Sequence, residues 1–393
     1  MKICMMTTSF PRFEGDTAGI FIKDLAESIS KFEKVKVITS NYKNTKKNEL
    51  INENLQIKRF NYFPFVQNVV YPSGMQLQLK KISAKLIFPF FLINYSIKTF
   101  FESMDCDIIH ANWFLSLCCA LPAKFILGKK IVLNERGGIF HADFEKKFLM
   151  NTLVQIFIKY ADAIVLISAE LKQDFIKLGI DEKKIFIIHN GIRMDLFKED
   201  KKIREKTRKE FGLKKDYVFV SVSNLIPRKK IDILINAFDK FSKKVKNTKL
   251  IIVGDGQEKE LLKKLAKEKN ISERVLFLGQ KPRTEVAKIL NASDCFVLTS
   301  LSETGPNTIL EAMAVNLPVI TTRVGITHEI ISKENGEFIE KNSVNDLERK
   351  MHTLYLKKES KFQNSNKLKD LKFGWENTAK NYINVYRTLT QKK

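Results

Sequence analysis

Two glutamates, Glu303 and Glu311, with seven residues between them, stand in a stretch whose composition could do chemistry. Between them runs Thr304-Gly305-Pro306-Asn307-Thr308, where an apolar run breaks off and a helical spacing begins. The helix start spanning Gly305, Pro306, Asn307 and Thr308 offers backbone amides to an anion. Glu311 lies about one turn inside that helix and leans back toward its start, because helical side chains point N-terminally. Amides for a phosphate and carboxylates for sugar hydroxyls would together suit a phosphorylated sugar. A plainer alternative is that Glu303 is solvated and Glu311 only complements the helix dipole, an effect of roughly 0.3–1 kcal/mol.

The flanking elements must hold these groups in place. Cys295-Phe296-Val297-Leu298 reads as a strand buried on both faces, and Ile309-Leu310 with Ala312-Met313-Ala314 has helical spacing. No glycine stops that helix; Asn316, with Pro318 two residues on, does so instead. Val319-Ile320-Thr321 is a second buried strand. In such a strand–loop–helix–strand unit the loop falls at a strand's carboxyl end, where open α/β sheets bind ligands.

Glu303-x7-Glu311, followed by Ala312-Met313-Ala314 and Leu317-Pro318-Val319, resembles the donor-site signature of the retaining family-4 glycosyltransferases. The resemblance implies an α/β fold of GT-B type, two Rossmann-like domains with parallel sheets facing across a cleft. It would place an acceptor-side domain at 1–195, a nucleotide-sugar-binding domain at 196–374, and a C-terminal helix from about 375 to 393 returning to the first domain.

Other segments extend the likeness. Lys2–Thr7 reads as a first strand, followed by a loop containing Gly15 and Gly19 and a helical run Ile20–Ser30; this resembles the family's first-domain glycine loop. Val35–Thr39, Asp107–His110, Lys130–Leu133, Ala163–Ser168 and Ile185–Ile188 read as further strands of the first half. His110 ends one of them and resembles the family's acceptor-side histidine, a core histidine bonded to backbone being the alternative. Asn134-Glu135-Arg136-Gly137-Gly138 stands where relatives place His-Gly, so Arg136 would take the histidine's place and could clamp a phosphate or carboxylate. His189-Asn190-Gly191-Ile192 is a turn closing the first domain, and Lys198–Lys209 a linker or a solvated helix.

The second half begins with a strand at Tyr217–Val222 and the loop Ser223–Lys230, which resembles the family's Gly-Arg-Leu to Lys-Gly loop. Lys229 occupies the position of the lysine that grips the donor diphosphate; Asn224 replaces the usual arginine, Lys230 the usual glycine, and Arg228 can take over a charge contact. Leu250–Val253 with the turn at Gly254, and Val275–Leu278, are the strands before Asp294.

By resemblance, Lys229 and Arg228 would neutralise the leaving diphosphate with help from the Gly305–Asn307 amides, Glu303 would hold the transferred sugar, and Glu311 the ribose. Asn224, Gly254, Thr308 and Gly19 would complete the donor contacts, and His110, Arg136 and Gly15 the acceptor side. We see no Asp-x-Asp metal site, so neither a bound metal nor another cofactor is expected beyond the nucleotide-sugar co-substrate.

Bulk composition frames these readings. The 393 residues suffice for two cores, and 44% hydrophobic with 28% charged residues describes an ordinary globular chain. The net charge of +24 divides as +8 up to Asp195 (27 basic against 19 acidic) and +16 beyond it (41 against 25), so it is not a detachable tail. Phosphorylated ligands, an anionic membrane or nucleic acid would each account for it, as would compositional drift. No helix-turn-helix, RNP-type strand or zinc-finger spacing points to specific nucleic-acid binding. Five cysteines without metal-ligand spacing suggest reduced core thiols in a cytoplasmic protein. From Phe60 to Phe101 aromatics mix with Lys80, Lys81, Lys85 and Lys98: either a long helix capping the first core, lysines on its wet side, or a surface resting on the inner face of a membrane. A protein that binds nucleotide-sugar without transfer, an epimerase of similar architecture, and a basic nucleic-acid-binding protein are the alternatives to a transferase.

Overall fold

The computed structural model describes residues 1–71, 75–137, 148–213, 215–358 and 362–391. The chain forms two compact units, Met1–Gly191 with Trp375–Lys393, and Ile192–Gly374. The division falls four residues earlier than the sequence suggests. Ile192 and Phe197 are buried in the second core, and the Ile192 amide donates to the Phe373 carbonyl at 2.8 Å, which ties the start of that unit to its end.

The first unit is built on an eight-stranded sheet. Its strands are β1 (Lys2–Met6), β2 (Lys34–Ser40), β3 (Asn48–Asn52), β4 (Leu55–Phe60), β5 (Ile108–Asn112), β6 (Lys130–Glu135), β7 (Ala163–Leu166) and β8 (Ile185–Ile187), in the order β3-β4-β2-β1-β5-β6-β7-β8. Only β3 is antiparallel to its neighbour. The sheet is buried on both faces, and the period of two sorts its residues: Cys4, Met6, Ile109 and Leu133 face one core, Ile3, Met5, Ile108 and Val132 the other. The helices Ile82–Ser103 and Trp113–Leu127 cover the first face; Ile20–Ser30 and Trp375–Thr390 cover the second. The C-terminal helix thus returns to the first unit, as expected. β3 and β4 were not foreseen; the alternation of Leu55 and Ile57 could have marked β4.

The second unit has six parallel strands, β9 (Tyr217–Val222), β10 (Thr248–Val253), β11 (Val275–Gly279), β12 (Cys295–Leu298), β13 (Val319–Thr322) and β14 (Gly336–Ile339), ordered β11-β10-β9-β12-β13-β14. The chain runs outward from β9 to β11, then returns to β12 and runs outward the other way. The switch point, where ligands of such sheets bind, lies between β9 and β12. The stretch Lys198–Lys209 is no linker: Lys201–Glu210 is a helix, capped by Asp200, whose Arg204 and Arg208 pair with Asp294 at the entrance to β12.

Candidate active site

The loops that leave β9 and β12 are fastened to each other. The Leu301 amide donates to the Arg228 carbonyl at 2.9 Å, and the Thr299 hydroxyl lies 2.8 and 2.9 Å from the carbonyls of Lys229 and Lys230. Two charged stretches far apart in sequence therefore meet at the switch point. Lys229 Nζ bonds Glu303 Oε1, Arg228 lies 3.4 Å from Glu303 Oε2, and the Ser300 hydroxyl donates to Oε1 at 2.7 Å. The Lys229 and Glu303 side chains are only 13% and 10% exposed, while Arg228 keeps 34%.

Burial pushes the Glu303 carboxyl up, but Lys229, Arg228 and Ser300 more than offset it and leave the group below the ordinary carboxylate range. Burial lowers the Lys229 ammonium, against the attraction of Glu303. With the two in contact we assign both as charged. Lys230 stands in the left-handed region at φ 53°, which is the conformation a glycine would take without strain at this position. Asn224 is exposed. At Gly254 (φ 141°) an added Cβ would lie 1.8 Å from the Ser223 carbonyl oxygen, so the loop after β10 can approach the loop after β9 only with glycine there.

The helix Asn307–Ala314 begins beside Glu303. Its N-cap is Pro306, which makes no side-chain capping bond, and its first turn has no acidic residue; a helix start of this kind presents amides to an anion. Asn316 ends it at φ 63°. Glu311 is 6% exposed and lies 3.3 Å from Arg283 Nη2. Arg283 escaped the sequence reading because it comes from a different helix, Arg283–Ala292.

In the first unit, Gly19 (φ 64°) caps the helix Ile20–Ser30, where a Cβ would meet the Ser9 carbonyl oxygen at 2.2 Å. The loop before it is held by Arg12, which pairs with Asp16 at 2.6 Å and lies over the rings of Phe13, Tyr42 and Tyr71. Gly15 lines a hollow beside Arg12, Ile20, Lys23 and Arg59.

His110 is not placed where an acceptor could touch it. It faces the helix Trp375–Thr390 with 0% exposure, its Nδ1 2.5 Å from the Tyr386 hydroxyl and its ring 5.2 Å from that of Tyr382. The core alternative describes it, with a tyrosine in place of backbone. Sequence could not foresee a partner 276 residues away. Burial, with the charge of Arg136 nearby, pulls the His110 pKa from 6.5 to about 3. The folded-state value lies below the unfolded one, so only the unfolded chain takes up this proton as pH falls. Stability is full above about pH 6.5 and is lost toward 3, at up to about 1.4 kcal/mol per pH unit. Between pH 7 and 5 the wild type should lose about 1–2 kcal/mol more than His110→Gln in urea unfolding. Parallel pH profiles would show that His110 is protonated in the fold.

Arg136 follows β6 on the same face of the sheet. One of its nitrogens, Nη1, donates to Asn190 Oδ1, and the guanidinium carbon lies 4.6 Å from the centre of the Phe21 ring. Nε and Nη2 are buried without a hydrogen-bond partner among the described residues. Asn190, read from sequence only as part of a turn, is thus a support for Arg136. Gly138 lies outside the described residues.

Two family models match the chain: Glycosyltransferase Family 4 over residues 18–196 and Glycosyl transferases group 1 over 203–369. The chain is 31% identical to N-acetyl-alpha-D-glucosaminyl L-malate synthase of Bacillus anthracis over 229 residues, which are 57% of this chain and 58% of that protein's length. It is 24% identical to a phosphatidylinositol N-acetylglucosaminyltransferase component of Arabidopsis thaliana over 82% of this chain and 67% of that one. The structure of Anabaena Alr3699/HepE in complex with UDP and glucose matches with a TM-score of 0.79 at 20% identity, covering 99% of this chain and 100% of that one. The fold is the GT-B type, two Rossmann-like units with parallel sheets. The chain belongs to the family-4 glycosyltransferases.

Proposed function

We propose that the protein is a retaining glycosyltransferase. It would move a hexosyl unit from a nucleotide-sugar, a UDP-sugar in the first place and GDP-mannose in the second, to a glycan or lipid-linked acceptor of envelope polysaccharide or glycolipid synthesis. The observation that carries this reading is the buried Lys229–Glu303–Arg228 cluster, set beside the N-terminus of the helix Asn307–Ala314 at the switch point of the second sheet. The UDP in the HepE structure supports the choice of nucleotide, and the name of the Arabidopsis relative supports a lipid-linked acceptor.

In this reading Lys229, Arg228 and the helix amides stabilise charge as it grows on the departing diphosphate. Glu303, held ionised, accepts hydrogen bonds from the sugar hydroxyls and positions the anomeric carbon. Glu311, oriented by Arg283, holds the ribose. On the acceptor side, the unpartnered nitrogens of Arg136 are offered to a carboxylate or phosphate. The protein would work from the cytoplasm, attached peripherally to the inner face of a membrane.

A thermal-shift screen across UDP-, GDP-, ADP- and CMP-sugars tests the reading. One nucleotide class should raise the unfolding midpoint, with a UDP-sugar giving the largest shift; no response to any of them would sink it. Transfer should proceed undiminished in EDTA, since the cluster and the helix amides supply the positive charge. Activity that vanishes in EDTA and returns with a divalent ion would contradict a metal-free mechanism.

A further inference from the structure

The helix Ile82–Ser103 covers the first core with Ala84, Ile87, Phe91, Tyr95 and Thr99. A helix in that position normally turns a polar face to water. This one does not. Ile82, Leu86, Phe90, Ile93, Ile97 and Phe101 are 48–75% exposed. At 100° per residue they fall within an arc of about 100°, and the stripe is roughly 28 Å long at 1.5 Å per residue. In all 22 residues the charged side chains are Lys85, Lys98 and Glu102, and the last two pair with each other at 2.8 Å. Lys129, just past the end of the neighbouring helix Trp113–Leu127, donates to the Met104 carbonyl at 2.9 Å, and the last turn of that helix also exposes Phe125 (62%) and Ile126 (70%). The reading of a wet, lysine-bearing outer face is therefore corrected: the outer face is apolar, with Lys80, Lys81 and Lys85 at its start and Lys98 paired with Glu102 near its end.

No helix of the described residues is long and apolar enough to cross a membrane, and this one has its inner face committed to the core. We infer that the stripe lies flat in the interface of an anionic lipid bilayer, with exposed Lys80, Lys81 and Lys85 at the headgroups. Those three have no acidic partner among the described residues, and the whole chain bears a net charge of +24, so the charge complements an anionic surface. The inference gives the peripheral attachment proposed above its surface, and its biological sense rests on that reading.

Vesicle flotation of the full chain tests it, with phosphatidylcholine alone and with about a third phosphatidylglycerol. The wild type should float with the anionic vesicles and stay partly bound at high salt, because inserted side chains are not screened. Leu86→Gln/Ile93→Gln/Ile97→Gln, all at exposed positions, should lower the partition at least about tenfold. Lys80→Gln/Lys81→Gln/Lys85→Gln should erase the preference for anionic over neutral vesicles. Complete release by salt, or an apolar triple variant that floats like the wild type, overturns the inference. So does a wild type that ignores vesicles but sediments as a dimer which the apolar variant splits, since a second copy would then own the face. The nucleotide-sugar thermal shift, read on every variant, is separate: flotation without any shift retains this surface and rejects the transferase reading, and a shift without flotation does the reverse.

Discussion

Glu303→Gln should fold and lose transfer about 100- to 1,000-fold at saturating donor, the scale on which single preorganised electrostatic groups act. The substitution keeps the shape and can still accept from Ser300, so the loop geometry set by Thr299 and Leu301 survives. What disappears is the negative charge that orders two cations. Lys229, 13% exposed, would face a neutral amide, and hydrogen bonds from sugar hydroxyls to that amide would be weaker than those to a carboxylate. Circular dichroism checks the fold and a steady-state transfer assay the loss. Transfer within a few-fold of wild type would remove Glu303 from the site.

Lys229→Ala should weaken nucleoside-diphosphate binding and slow the chemical step together, because the charge it meets grows toward the transition state. It should also destabilise the second unit by about 2–3 kcal/mol, since Glu303 is left 10% exposed with Arg228, 3.4 Å away, as its one remaining cation in the cluster and the Ser300 hydroxyl as its hydrogen-bond donor. Adding Glu303→Gln to Lys229→Ala should then recover part of that stability while activity stays lost. Such a cycle separates the structural weight of the pair from its chemical role. Unchanged diphosphate affinity in Lys229→Ala, or additive stability losses in the double variant, would contradict the assignment.

The same pair shows how far local pattern reaches. Glu303 and Lys229 are each visible as a charged residue just past an apolar strand, because buried parallel strands read as short apolar runs and their loops as polar breaks. Their mutual contact, and the tying of both loops by Thr299, depend on β9 lying next to β12, which strand order alone decides.

By itself the sequence determined nearly all central strands and the helix that begins near Asn307, which follow from periodicities of two and about 3.6 residues and from turn residues, all acting over short range. The two-unit layout and the return of the C-terminal helix were legible only through the family resemblance. Only the tertiary structure decided that Arg283 would steady Glu311, that Asn190 would support Arg136, and that His110 would be sealed under Tyr386. It alone revealed that the outer face of Ile82–Ser103 is apolar rather than wet. A helix apolar on both sides has the same residue types whichever side meets the core. Which side is left over is set by the sheet it packs against, and that is information between segments rather than within one.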